Sequence, residues 1–160
     1  MKILILSCNT GQGHNSAAKA IQEKFISLGH ECDLNDALRY NSKAFSKSIS
    51  ASYNKIVLHT PGAFGAGYNI SKAQSYTPGT LKSAVYGVNM TYSKKLYRDI
   101  VNKKYDAVVC THIFPAQALT HARHKHGLNI PVYFVATDYG YYPFCDELDI
   151  DKFFVASEKV

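Results

Sequence analysis

Residues 3–16 read Ile3-Leu4-Ile5-Leu6-Ser7-Cys8-Asn9-Thr10-Gly11-Gln12-Gly13-His14-Asn15-Ser16. The opening run is short, apolar and rich in branched residues, as expected of a strand buried in a parallel sheet. Two glycines follow, and then a pattern of helical period. Strand, glycine loop and helix start thus occupy roughly residues 1–20. In parallel α/β sheets ligands bind outside the carboxyl ends of the strands, which is where this loop falls. The expectation is a cradle for an anionic or hydroxyl-bearing ligand, formed by Asn9, Thr10, Gly11, Gln12 and Gly13. Glycines let backbone N–H groups come close to a phosphate or oxyanion, and a helix N-terminus adds favourable partial charge. His14 stands at the helix start, within reach of whatever the loop holds. The plainer alternative is a tight turn beside an exposed histidine.

Two familiar phosphate loops can be compared directly. A Walker loop places Lys-Ser or Lys-Thr after its last glycine, whereas Gly13 is followed by His14 and Asn15. The dinucleotide fingerprint ends in Gly or Ala, and here Ser16 occupies that position. An acidic residue does follow about 20 positions on (Asp33 or Asp36), so a nicotinamide-dependent oxidoreductase stays open as an alternative.

Working outward, residues 15–28 carry Ala17, Ile21, Phe25 and Leu28 on one helical face, and Gly29 ends the segment. Residues 30–34 read as a second strand. Residues 42–59 are helical, with Phe45, Ile49, Tyr53, Ile56 and Val57 on one side, and Thr60-Pro61-Gly62 stops them. Residues 63–79 form an aromatic, glycine-containing and almost uncharged stretch that includes Phe64 and Tyr68. Residues 80–103 are a long amphipathic helix with Leu81, Val85, Val88, Tyr92, Leu96 and Ile100 in one stripe. Lys82, Lys94, Lys95 and Arg98 lie away from it. The last third then alternates strand 106–111, helix 116–126, strand 131–137 and strand 153–157. Such alternation predicts an α/β fold, a Rossmann-like parallel sheet with helices on both faces.

The 160 residues suit one domain or half of a two-domain enzyme. No apolar run approaches the roughly 20 residues of a spanning helix, so the expectation is a soluble, cytoplasmic protein. The formal net charge of +6 leaves nucleic acid, anionic lipid or a phosphorylated ligand open. No nucleic-acid motif is recognisable, and none is expected to bind. The scattered Cys8, Cys32, Cys110 and Cys145 read as structural thiols. His121, His124 and His126 share no single helical face, so no metal site is expected there.

Two further motifs follow strands. Thr111-His112-Ile113-Phe114-Pro115 would share the loop's edge of the sheet, with His112 contacting a ligand hydroxyl and Phe114 and Pro115 walling an apolar pocket. Ala136-Thr137-Asp138-Tyr139 offers a carboxylate able to orient a histidine or accept a proton. Each has a structural alternative, a strand-to-helix turn for the first and a turn or capping Asp for the second.

The opening stretch, together with these two motifs in the same order, resembles the monogalactosyldiacylglycerol synthase and processive diacylglycerol glucosyltransferase family over essentially the whole chain. The resemblance implies the N-terminal half of a GT-B fold, with 1–160 as one acceptor-binding domain. A C-terminal domain absent from this sequence would hold the nucleotide sugar. It further implies metal-independent, inverting transfer from a UDP-sugar to diacylglycerol on the inner face of a membrane, with no cofactor. Carried over residue by residue, His14 becomes the general base or the group that positions the acceptor hydroxyl, Asp138 its electrostatic support, and Gly11 and Gly13 shape the loop facing the donor phosphates. His112, Phe114, Pro115, Tyr139, Phe64 and Tyr68 become acceptor contacts. Members often carry His or Trp after the Thr-Asp step, where this chain has Tyr141, Tyr142 and Cys145. Residues 63–79 and the basic helix after them would dock on an anionic bilayer, although a surface loop and a core-packing helix explain them as simply. The chain stops at Val160, directly after an apolar strand, as a truncated domain would. A stand-alone lipid-binding or regulatory module without catalysis is the remaining alternative.

Overall fold

The structure, a computed structural model, describes residues 1–59, 82–138 and 144–156, apart from the side chains of residues 53, 54 and 56–59. Phe64, Tyr68, Leu81 and Tyr139 lie outside the described residues, as do Tyr141 and Tyr142.

In chain order the elements are β1 (Lys2–Ser7), α1 (Gln12–Ser27), β2 (Glu31–Asp36), a 3-10 turn (Ala37–Tyr40) and α2 (Lys43–His59). Then come α3 (Ala84–Lys103), β3 (Ala107–Cys110), α4 (Ile113–His126), β4 (Val132–Val135), a 3-10 turn (Cys145–Glu147) and β5 (Lys152–Phe154). The strands form one sheet in the order β2-β1-β3-β4-β5, and every pairing is parallel. From β1 the chain first moves outward to β2, then returns to add β3 on the other side. The order therefore reverses between β1 and β3, and this switch point opens a crevice at their carboxyl ends.

Alternation along the strands divides the core in two. Leu4, Leu6, Val108, Cys110, Val132 and Phe134 face α3 and α4, where Tyr92, Leu96, Ile100, Ala116 and Leu119 meet them, with Phe45 and Ile49 of α2 packed alongside. Ile3, Ile5 and Val109 face α1, where they meet Ala18, Ile21 and Phe25. Helices thus cover both faces, as the alternation of strands and helices required. Each fully buried Leu or Ile contributes about 1.5–3 kcal/mol, an upper figure because the unfolded chain already buries some of it.

Several local expectations shift. Helix α1 starts at Gln12, so Gly13 and His14 belong to its first turn rather than to a loop before it. Leu28 lies past the helix and is 58% exposed, and Gly29 ends the segment in the left-handed conformation with φ 81°. Helix α4 starts at Ile113, with Pro115 inside its first turn. Proline is tolerated there because first-turn N–H groups have no intrahelical acceptor to lose.

In α3 the inward register runs through Tyr86, Asn89, Tyr92, Ser93, Leu96 and Ile100, and Val88 is 45% exposed. Polar Asn89 can occupy the inward position because its Nδ2 donates to Gln117 Oε1 at 2.7 Å and its Oδ1 accepts from the Tyr92 hydroxyl at 3.1 Å. Gln117 in turn donates to the buried Glu147, which also accepts from the backbone N–H and hydroxyl of Ser83 at the start of α3. The last strand is an exposed edge, with Phe153 and Phe154 at 42% and 49%, rather than the buried strand its apolar residues suggest.

Candidate functional site

The crevice above β1 and β3 gathers residues that lie far apart in sequence. His14, in the first turn of α1, places its Nδ1 2.9 Å from the Thr111 carbonyl oxygen and 2.6 Å from Thr137 Oγ1. The Thr111 hydroxyl returns a bond to the His14 carbonyl at 3.1 Å, and the Thr111 N–H is fixed by Leu6 O at 3.0 Å. Thr111 follows β3 and Thr137 follows β4, so three strand ends converge on one imidazole. A carbonyl oxygen can only accept, so we assign the proton of the neutral ring to Nδ1, with Thr137 Oγ1 as a second acceptor. The lone pair then lies on Nε2, which no described residue engages. A backbone carbonyl here fills the orienting role that a carboxylate plays in many base-bearing histidines.

His112 takes the opposite tautomer. It is the N-cap of α4, and its Nδ1 accepts from the Phe114 N–H at 3.2 Å. Nε2 therefore carries the proton and donates to Thr10 Oγ1 at 3.1 Å. The ring is only 7% exposed and meets the His14 ring edge-on at 4.6 Å and that of Phe114 at 4.5 Å. Burial, aided by the nearby His14, pushes its pKa down to about 3. His112 is thus a neutral, buried brace between the loop after β1 and the start of α4. Both of its nitrogens are spent within the protein, leaving none for a ligand hydroxyl.

The remaining expected residues separate by depth. Thr10 is buried, with its hydroxyl turned to His112, while Asn9, Gln12 and Gly13 are exposed. Gly11 caps α1 with extended backbone, φ 176°, and contributes no side-chain bond. The first N–H groups of α1 therefore keep their capacity for a ligand acceptor. Neither Gly11 nor Gly13 needs a left-handed conformation, and a Cβ at Gly13 would meet nothing within 4 Å. The glycine keeps that space clear rather than making a turn. Pro115 is buried and Phe114 half-buried. Asp138 is exposed and makes no hydrogen bond or ion pair with a described residue; the groups on His14 Nδ1 are Thr111 and Thr137. The two threonines were visible in the strand-end motifs, yet only the fold reveals them as the residues that orient His14. Among the described residues no three His, Cys, Asp or Glu side chains converge as metal ligands.

A parallel α/β domain with an oriented imidazole at its topological switch point belongs to the class that binds its ligand outside the strand ends. The family described as Monogalactosyldiacylglycerol (MGDG) synthase matches residues 14–160, and the chain belongs to it. Relatives include proteins of Bacillus cytotoxicus and Bacillus pumilus, each named processive diacylglycerol beta-glucosyltransferase. The chain is 27% identical to the first over 173 residues, covering 99% of itself and 39% of that relative. Against the second it is 27% identical over 169 residues, with 99% and 40% coverage. The chain thus spans about 39% of the length of the curated relatives it matches. No solved structure matches the chain.

Proposed function

We propose that this chain is the acceptor-binding half of a glycosyltransferase that moves a hexose from a UDP-sugar to diacylglycerol or a related lipid. The observation that carries it is the Nδ1–H of His14 held by the Thr111 carbonyl, which leaves Nε2 as a base beside the N-terminus of α1. In the reaction, Nε2 takes the acceptor hydroxyl's proton as that oxygen bonds to the anomeric carbon. The bond from the anomeric carbon to the UDP oxygen breaks, and UDP leaves as an anion. Attack from the face opposite the leaving group inverts the anomeric centre. The unfilled N–H groups of α1, exposed through Gly13, face developing negative charge favourably. Asp138, exposed and without a bond to any described residue, would add negative potential at this edge of the sheet. The peptide dipoles and the imidazole are the groups this reading uses.

The greater length of the relatives leaves room for a second domain holding the nucleotide sugar, so the isolated chain would transfer poorly. The lipid side is supported by α3. The exposed side of α3 carries Lys94, Lys95 and Arg98, with the exposed Val88 and Met90 on its two flanks, a basic surface with apolar edges suited to an anionic bilayer. No helix among the described residues is long and apolar enough to cross a membrane. Residues 63–79, with Phe64 and Tyr68, would extend this surface, and Phe114, Pro115 and Tyr139 would line the acceptor's path. The nicotinamide alternative loses support because both candidate carboxylates are engaged within the protein, Asp36 by the Leu38 N–H and the Ser46 hydroxyl and Asp33 by the Tyr105 hydroxyl. Purified longer protein, given UDP-glucose or UDP-galactose and vesicles containing diacylglycerol, is expected to form glycosyl-diacylglycerol. Absence of product with either donor, from folded protein, would contradict the assignment.

A further inference from the structure

On the other side of α1 from His14, a cavity of about 380 Å³ opens between the carboxyl ends of β1 and β2. Its walls carry Arg39 from the 3-10 turn, Lys43 and Lys47 from α2, and the amides of Asn9, Asn15 and Asn35. Arg39, Lys43 and Lys47 are exposed, and none has a side-chain partner among the described residues. The one carboxylate in the wall, Asp36, is already engaged through both oxygens, by the Leu38 N–H and the Ser46 hydroxyl. Three cations therefore share the cavity with one carboxylate.

Their placement runs against the helix they sit on. Lys43 and Lys47 occupy the first two turns of α2, where the positive end of the macrodipole disfavours cations, and no acidic residue offsets them in the first turn. They are also four residues apart, the spacing at which like charges repel along a helix. The N-terminal end of α1, likewise without an acidic residue, borders the cavity through Asn15. Positive potential from two helix starts and three side chains thus converges on one space lined with amide donors. Such an arrangement is disfavoured when empty and relieved by an anion that accepts several charge-assisted hydrogen bonds.

We propose that this cavity is a phosphate-binding site, separate from the His14 crevice, in which Arg39, Lys43 and Lys47 hold the phosphate of a phosphorylated small molecule or lipid headgroup. Phosphate suits it by charge, and by acceptor oxygens on every side to meet donors from two helices and the loop after β1. The proposal does not depend on sugar transfer: His14→Ala, which removes the base, leaves the cavity intact.

Calorimetric titration of the protein with inorganic phosphate, glycerol 3-phosphate and dihexanoyl phosphatidate, with dihexanoylglycerol as the uncharged control, tests it. The phosphate compounds are expected to bind and dihexanoylglycerol not to bind here. The variant Arg39→Gln/Lys43→Gln/Lys47→Gln is expected to lose roughly tenfold or more in affinity for each. A control losing the same charge elsewhere, Lys19→Gln/Lys24→Gln/Lys125→Gln, should retain it. Equal affinity for inorganic phosphate and phosphatidate would identify the phosphate group alone as the ligand, and tighter phosphatidate binding would identify a lipid headgroup. Without ligand, the triple cavity variant should melt no lower than wild type, because the clustered cations are gone; phosphate should raise the melting temperature of wild type only. Failure of all three phosphate compounds to bind, or equal loss in the control variant, would overturn the proposal. His14→Ala separates the two readings, since it should lose transfer while keeping phosphate affinity.

Discussion

In the longer protein that contains this chain, His14→Ala is expected to lower turnover about 10²–10⁴-fold, the usual worth of a positioned general base. The loss should fall on kcat far more than on KM, because the proton moves only as the new bond forms. Folding should survive the change. The ring is half-buried, and the Thr111 hydroxyl keeps its bond to the residue 14 carbonyl whatever side chain stands there. The Thr111 carbonyl and Thr137 hydroxyl would lose one shared donor at a site that water can reach. Comparable melting curves with collapsed turnover would place His14 in the chemistry. Unchanged turnover would remove it from the mechanism and shift attention to Asp138, the other candidate proton acceptor at this edge.

His112 dominates a second expected result, the loss of stability in mild acid. Its pKa is lowered in the folded state to about 3, first by burial and then by His14, against about 6.5 in the unfolded chain. Between those values the unfolded chain binds a proton that the folded one does not. The stabilisation is therefore complete above about pH 6.5 and is lost as pH falls toward 3, at a slope of about 1.4 kcal/mol per pH unit from this group. The environment explains the reluctance to charge. Nδ1 must stay unprotonated to accept from the Phe114 N–H, Nε2 already donates to Thr10, and no carboxylate is bonded to the ring. Denaturant unfolding at pH 7, 6 and 5 should show this slope in wild type and its loss in His112→Asn. Asparagine can still cap α4 through its side-chain oxygen, so the variant should fold. An unaltered acid slope in the variant would assign the effect to other groups.

The sheet and its covering helices were legible because period carries them. Apolar runs of strand length alternate with segments of helical period, of which Ile21 and Phe25 do meet the strands, with Ala18 rather than Ala17 beside them. Helix starts were less legible. The first turns of α1 and α4 hold Gly13 and Pro115, residues that interrupt a helical pattern in the interior yet are harmless where N–H groups lack partners anyway. In α3 the register passed through Asn89 rather than Val88, since a satisfied amide can replace an apolar side chain and no periodicity detects that. At the site, the strand-end motifs named residues that the fold gathers at one edge of the sheet. They could not disclose the pairing of His14 with Thr111 and Thr137, which lie 97 and 123 residues away. Nor could they show that His112, equally polar on paper, spends both nitrogens inside the fold. Arg39, Lys43 and Lys47 drew no attention in the sequence because they follow no phosphate motif, and only the packing of α2 against the end of β2 gathers them.

The tautomer of His14 bears most directly on the proposed chemistry, and nitrogen NMR of the isotopically labelled protein reads it at a pH where the ring is neutral. The Thr111 carbonyl requires the proton on Nδ1 and the lone pair on Nε2. A proton found on Nε2 would move the lone pair to Nδ1, against Thr111 and Thr137, and would contradict the assignment of His14 as the group that activates the acceptor.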